Sequence, residues 1–277
     1  MTVEPITGPE VVSRLRAAGC VFAEDEAELI LGTADGPDQV ASMVERRASG
    51  LPLEHVLGWA EFHGLRVSVD PGVFVPRRRT EFLVHQALAA ADASRPLAAD
   101  GPRPLADGPR PLVVVDLCCG SGALGAALAA ALPGTELYAA DIEPAAVRCA
   151  RRNVAPFGGR VYEGDLFDAL PAELRGRIDI LTANVPYVPS DEVGLLPAEA
   201  REHEPLVALD GGSDGLDIMR RVALAAPDWL APGGILLTET SERQVPGALA
   251  AMAAGGLRSG LVTSEELYAN VVTGVRG

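Results

Sequence analysis

Strand-like apolar runs alternate with helical stretches over most of residues 112–276, and this alternation constrains the fold more than any other feature of the chain. The strand candidates are residues 112–117, 136–142, 159–164, 178–184, 234–239, 257–263 and 270–276. Such an order predicts an α/β fold, with a parallel sheet and helices on both of its faces. Ligands bind these sheets at the carboxyl ends of the strands, near the switch in strand order. The residues that carry chemistry are therefore expected where the candidate strands end.

The first strand ends in Asp116-Leu117 and runs into Cys118-Cys119-Gly120-Ser121-Gly122, followed by an Ala/Leu-rich helix. Glycine in this turn lets backbone approach a ligand, and the helix that follows offers free N–H donors. The second strand ends in Asp141-Ile142, where a carboxylate can accept hydrogen bonds from both hydroxyls of a ribose. The third ends in Gly164-Asp165-Leu166, where a carboxylate can meet an adenine amino group between apolar side chains. Any one such acid is more often a solvated strand end. Three in succession point to a nucleoside-bearing cofactor.

Two nucleotide sites are disfavoured. All 23 of the Lys+Arg residues are arginine, so the lysine-dependent phosphate loop is absent. The glycine loop reads C-x-G-x-G rather than the G-x-G-x-x-G of dinucleotide enzymes, and no hydride-transfer acid is apparent.

The fourth strand ends in Asn184-Val185-Pro186-Tyr187. An amide or exocyclic amine is a poor nucleophile because its lone pair is delocalised. It needs two acceptors for its N–H groups, placed so that the lone pair points at the methyl donor. The Asn184 side-chain carbonyl and the Val185 backbone carbonyl can supply them. Pro186 fixes the chain and holds the residue before it extended. Tyr187 can pack over the planar group. The plain alternative is a strand end followed by an ordinary Pro-Tyr turn.

Residues 1–55 read as a helical N-terminal domain, and residues 56–79 as a β-hairpin linker carrying the turn signal Asp70-Pro71-Gly72. Residues 80–277 read as the cofactor-binding domain. Within it, 92–111 is expected to be a mobile insert without catalytic role, because ADGPRPL occurs there twice in tandem. The amino terminus has neither a basic start nor an apolar signal core, and no apolar run spans a bilayer; a cytoplasmic protein without a membrane partner is expected. The four cysteines lack paired spacing and the four histidines are scattered, so no metal is expected. A net charge of −15 argues against a nucleic-acid partner.

The tetrapeptide resembles the [DN]-P-P-[YFW] signature of methyltransferases acting on planar nitrogen. More broadly, the chain resembles the protein-(glutamine-N(5)) methyltransferases of the HemK type. The resemblance rests on Pro52 to Gly58, Glu61-Phe62-His63-Gly64-Leu65, Gly72 to Arg77 with Thr80-Glu81, Asp116 to Gly122, Asn184 to Tyr187, Glu204-Pro205, Ala208 to Gly212, Asp214 to Leu216, and Gly233-Gly234. It implies a Rossmann-like S-adenosylmethionine methyltransferase sheet, and methylation of a glutamine amide in a peptide release factor or ribosomal protein. It implies cofactor contacts at Asp116, Cys118 to Gly122, Asp141, Ile142, Asp165, Leu166 and Asn184. The substrate would meet Phe74, Pro76, Arg77, Asn184 and Tyr187. Two residues depart from the family pattern: Val185 stands where the first proline is usual, and Cys118 where the loop usually opens with glycine. The same tetrapeptide leaves open a nucleic-acid (adenine amino) methyltransferase, and the two departures leave open a diverged paralogue with its own acceptor and a cofactor-binding protein without catalysis.

Overall fold

The computed structural model describes residues 6–94 and 110–277. Helices α1 (Gly8–Ala17), α2 (Ala23–Thr33), α3 (Pro37–Ala48) and α4 (Leu53–Leu57) enclose a small core of their own around Val11, Leu15, Ile30 and Met43. A buried ion pair ties this core together. Arg47 donates from Nε and Nη2 to both oxygens of Glu26, at 2.6 and 3.0 Å, and from Nη1 to the Leu51 carbonyl at 2.9 Å. The same Nη1 reaches Glu199 at 2.6 Å, so the helical region also grips a segment far along the chain. A charge buried this deeply persists because every donor face has an acceptor.

Strands β1 (Trp59–Phe62) and β2 (Leu65–Ser68) form an antiparallel hairpin with Phe62 opposite Leu65. The turn signal at Asp70-Pro71-Gly72 does not close this hairpin. His63 and Gly64 do, both at positive φ (49° and 73°), as a two-residue turn matching the strand twist requires. The Asp70 signal makes a second turn just beyond, closed by Val73 N–H on the Asp70 carbonyl at 3.1 Å.

After helix α5 (Glu81–Ser94), the seven remaining strands form one sheet: β3 (Val113–Leu117), β4 (Glu136–Asp141), β5 (Arg160–Glu163), β6 (Ile178–Ala183), β7 (Leu230–Thr240), β8 (Arg258–Ser264) and β9 (Ala269–Val275). Their order is β5-β4-β3-β6-β7-β9-β8. The first five are parallel, and β3 is buried at all five positions, as expected of a central strand covered on both faces. The last two are not parallel as expected: β9 runs antiparallel between β7 and β8. Only residues 265–268 join β8 to β9, too few for the crossover that a parallel pair needs. Chain order reverses between β3 and β6, and the acidic strand ends meet at this switch.

Helices α6 (Ala123–Ala131) and α7 (Pro144–Val154) join α5 and the hairpin over one face of the sheet. Helices α9 (Asp217–Trp229) and α10 (Val245–Ala254) cover the other. A short helix, α8 (Ala198–His203), lies in the loop region after β6. The expected insert at 92–111 falls mostly outside the described residues; 92–94 end α5, and Arg110 makes two bonds to Asp179, at 2.6 and 2.7 Å. No helix among the described residues is long and apolar enough to cross a membrane.

One side chain fastens the hairpin to the sheet layer. Asn153 of α7 accepts from Ser68 N–H and donates to the Ser68 carbonyl, both at 2.8 Å, and donates to the Ser121 carbonyl at 2.8 Å. Asn153→Ala removes the partner of the Ser68 N–H and the Ser121 carbonyl, while the Ser68 carbonyl keeps the Cys149 thiol at 3.1 Å, and should lower stability by about 2 kcal/mol. Urea unfolding checks this as a lower midpoint with an unchanged slope.

Candidate active site

At the carboxyl ends of β3 to β6 lies a cavity of about 620 Å³. Cys118, Cys119, Gly120, Ser121, Asp141, Ile142, Asp165, Leu166 and Asn184 all line it, from four consecutive strand ends. Phe74, Pro76, Arg77, Val185, Pro186 and Tyr187 line it as well. Two residues expected at the cofactor do not. Gly122 caps α6 at φ 77° and packs on α7, where a Cβ would sit 3.0 Å from that of Ala150. Asp116 is fully buried behind the loop, accepting from Gly125 N–H at 3.0 Å and the Thr182 hydroxyl at 3.1 Å. It staples β3 to β6 and to the start of α6, instead of facing the cavity.

The loop corner at Cys118 takes φ 53°, a left-handed angle that a side chain tolerates at a cost of about 1–2 kcal/mol. Burial pushes the Cys118 and Cys119 thiols well above their ordinary values, so neither is a thiolate nucleophile. Next to them, Asp141 Oδ2 accepts from Gly120 N–H at 2.8 Å and Oδ1 accepts from Glu143 N–H at 2.9 Å. The carboxylate is thereby held at the cavity edge with lone pairs to spare. Desolvation raises its pKa. Asp165 pairs with Arg221 at 2.6 Å, so its charge is already shared before any ligand arrives.

Asn184 follows β6, whose last carbonyl, at Ala183, accepts from the Thr238 hydroxyl at 2.7 Å. Its own Oδ1 is buried and has no hydrogen-bond partner, alone in this among the described side-chain oxygens and nitrogens. A buried acceptor left empty costs about 1–3 kcal/mol, and this one belongs to a residue of the cavity lining. Val185 is 2% exposed and packs into the core beneath the sheet with Leu181, Leu216 and Met219. The departure from proline is thus absorbed by burying the valine side chain, while the chain path through the tetrapeptide is fixed from outside.

Glycine supplies that outside support. At Gly211 a Cβ would fall 2.6 Å from the Pro186 carbonyl oxygen, and at Gly215 2.3 Å from that of Tyr187; only glycine lets this loop lie against the tetrapeptide. Gln244 Nε2 then donates to the Tyr187 carbonyl at 2.7 Å and to the Asp214 carbonyl at 3.0 Å. The Tyr187 phenol donates to Glu239 Oε1 at 3.0 Å and accepts from Arg79 Nη2. On the opposite wall, Glu204 accepts from Val75 N–H at 3.1 Å and takes both bonds from Arg77 Nη2 at 2.6 Å. Arg77 in turn lies over the Phe74 ring, 4.8 Å from its centroid. Desolvation raises the Glu204 pKa, and Arg77 opposes it.

Sequence reasoning gave no role to Glu239 or Gln244. Glu239 continues the row of acids at strand ends, a signal equivalent to that of Asp141 and Asp165. Gln244 shows as a helix-cap partner of Ser241, and that pattern says nothing about the Tyr187 carbonyl. Among the described residues no group of three or more His, Cys, Asp or Glu is placed to hold a metal.

Residues 107–195 match the family model described as "Methyltransferase small domain". The release factor glutamine methyltransferase of Streptomyces coelicolor is 36% identical over 211 residues, 76% of this chain and 70% of that one. The chain belongs to this family. A second relative bears another name: the 4-amino-L-phenylalanine/4-methylamino-L-phenylalanine methyltransferase of Streptomyces pristinaespiralis is 35% identical over 87% of this chain and 78% of its own. Among solved structures, the 16S rRNA N2 G1207 methyltransferase of T. thermophilus, in complex with AdoMet and guanosine, shares the fold with a TM-score of 0.53. It is 20% identical, over 79% of this chain and 50% of that one.

Asp116 offers a test of the staple behind the loop. Burial raises its pKa to about 7 against the Gly125 and Thr182 bonds that lower it. A carboxyl raised in the folded state stabilises fully below the unfolded value of about 4, and that contribution fades as pH climbs through about 7. Asp116→Asn should flatten this part of the stability profile, by on the order of a few kcal/mol between pH 4 and 7. Chemical denaturation across that range measures it.

Proposed function

We propose that the chain transfers a methyl group from S-adenosylmethionine to the side-chain amide nitrogen of a glutamine in a protein, a peptide release factor in the first place and a ribosomal protein in the second. The observation that carries the reading is the empty Asn184 Oδ1. A buried carbonyl oxygen with nothing to accept is what an amide N–H needs on arrival.

The residues present fit the cofactor. Asp141, aimed into the cavity by two backbone N–H groups, would hold ribose hydroxyls, and Ile142 and Leu166 would flank an adenine. The bound cofactor supplies a sulfonium-activated methyl, which needs no metal and no covalent enzyme intermediate. The chain's own work is orientation. Asn184 Oδ1 accepts one amide hydrogen and the Val185 carbonyl the other, which turns the nitrogen lone pair away from both and toward the methyl. Tyr187 stacks on the amide plane. The apolar lining keeps water from competing for the two acceptors.

The amine-methylating relative favours a second acceptor class, a free aromatic amino acid. Charge argues for the protein amide instead. The three arginines lining the cavity, Arg77, Arg79 and Arg221, are each paired with a carboxylate, Glu204, Glu239 and Asp165. A free amino acid brings a carboxylate, and no unpaired cation among the described lining residues awaits it. A glutamine within a polypeptide brings none.

Asn184→Ala should cut transfer into release factor by at least about a thousandfold, the scale of losing an essential orienting acceptor. Cofactor affinity should stay within about threefold, as measured by calorimetry. Wild-type turnover in this variant, or labelling of 4-aminophenylalanine in preference to release factor, refutes the reading.

A further inference from the structure

Tyr187 stands between two cavities. One is the acceptor cavity just described. The other, of about 730 Å³, is lined by Tyr187, Arg79 and Glu239 together with Glu242, Glu265 and Tyr268. Whatever fixes the Tyr187 ring therefore fixes the boundary between them.

The backbone of Tyr187 is already pinned by Gln244 and by the close approach of Gly215. What remains free is rotation of the side chain, and the phenol is held by a closed ring of hydrogen bonds. It donates to Glu239 Oε1 at 3.0 Å and accepts from Arg79 Nη2, while Arg79 Nε donates to that same Glu239 oxygen at 2.9 Å. The Thr80 hydroxyl holds the other oxygen, Oε2, at 2.8 Å. Glu239 is 3% exposed, so water competes little for its own bonds, whereas the Arg79 side chain is 48% exposed and its bond to the phenol lies nearer solvent. The ring joins three segments: the turn before α5, the tetrapeptide after β6 and the end of β7. Thr80 already ties the turn to Glu239, so Arg79 is not needed for that junction. What its guanidinium adds is the contact with the phenol.

We propose that Arg79 and Glu239 are positioning residues that hold the Tyr187 ring as one wall of the acceptor site, and so decide how tightly an acceptor amide is gripped. This rests on the reading of Asn184 to Tyr187 as the acceptor site. Without Arg79, the ring loses the donor that fixes its phenol and gains the second cavity as space to turn into. The acceptor then binds against a mobile wall, while the cofactor, held at the other strand ends, is unaffected.

Two measurements on the full chain test this. The first replaces its four tyrosines with 3-fluorotyrosine, the Tyr187 resonance being assigned by its loss in Tyr187→Phe. The wild type should give a single Tyr187 line, and Arg79→Ala and Glu239→Gln a shifted or split one. The second measures transfer into purified release factor. In Arg79→Ala the acceptor KM should rise about tenfold, the worth of one charge-assisted hydrogen bond, with the S-adenosylmethionine Kd within twofold of wild type. A merely structural role predicts something else: fewer active molecules, hence a lower kcat at unchanged acceptor KM, and that result overturns the proposal. An unchanged Tyr187 line also overturns it. Should wild-type protein fail to methylate release factor, the acceptor assignment fails, and the fluorine line still decides whether Arg79 positions Tyr187.

Discussion

A buried carbonyl oxygen without a donor is costly, and the rest of the site depends on this chain keeping one at Asn184. Nearly everything around it is paired. The preceding carbonyl is capped by Thr238, the Tyr187 carbonyl by Gln244, the phenol by Arg79 and Glu239, and the opposite wall by Arg77 and Glu204. In the proposed function the Asn184 oxygen is the acceptor for an incoming amide N–H, and its residue lines the cavity at the carboxyl ends of β3 to β6.

The fold delivers this arrangement through distant pieces of sequence. The strand switch between β3 and β6 brings the cofactor loop beside the tetrapeptide, and Asp116 and Thr182 bind the two strands just below it. Glycines at 211 and 215 let a later loop press on the tetrapeptide backbone. The hairpin joins in through Asn153, which holds Ser68 and the Ser121 carbonyl of the cofactor loop at once. The helical N-terminal region reaches the cavity wall through Arg47 and Glu199. Polar contacts from the hairpin, the helical N-terminal region and the later loop thus reach the walls of the cavity.

Much of this was legible in the chain. All seven strands of the large sheet appear within a few residues of their expected positions because buried parallel strands are apolar runs bounded by turn residues, and β3 is an extreme case. The antiparallel β9 was missed because alternation does not report direction, and only the shortness of 265–268 does. The hairpin turn was misplaced because Asp-Pro-Gly is the louder signal, whereas the true turn uses His63 at a left-handed angle that residue type alone does not announce. Asp116 was legible as a strand-end acid but not as one facing inward, since period-2 alternation fails in a strand buried on both faces. The partners of Tyr187 lie 52 and 108 positions away, and contacts at such separation come from packing, not from pattern.

The departures at Val185 and Cys118 now have physical accounts: one side chain is taken into the core, and the other accepts a left-handed corner. Neither removes an acceptor from the site. The most direct measurement is transfer from methyl-labelled S-adenosylmethionine into purified release factor, with the label located by mass spectrometry after proteolysis. The account predicts a single methyl on a glutamine side-chain nitrogen. Label confined to nucleic acid or to free amines, or cofactor binding with no label on any protein, contradicts it.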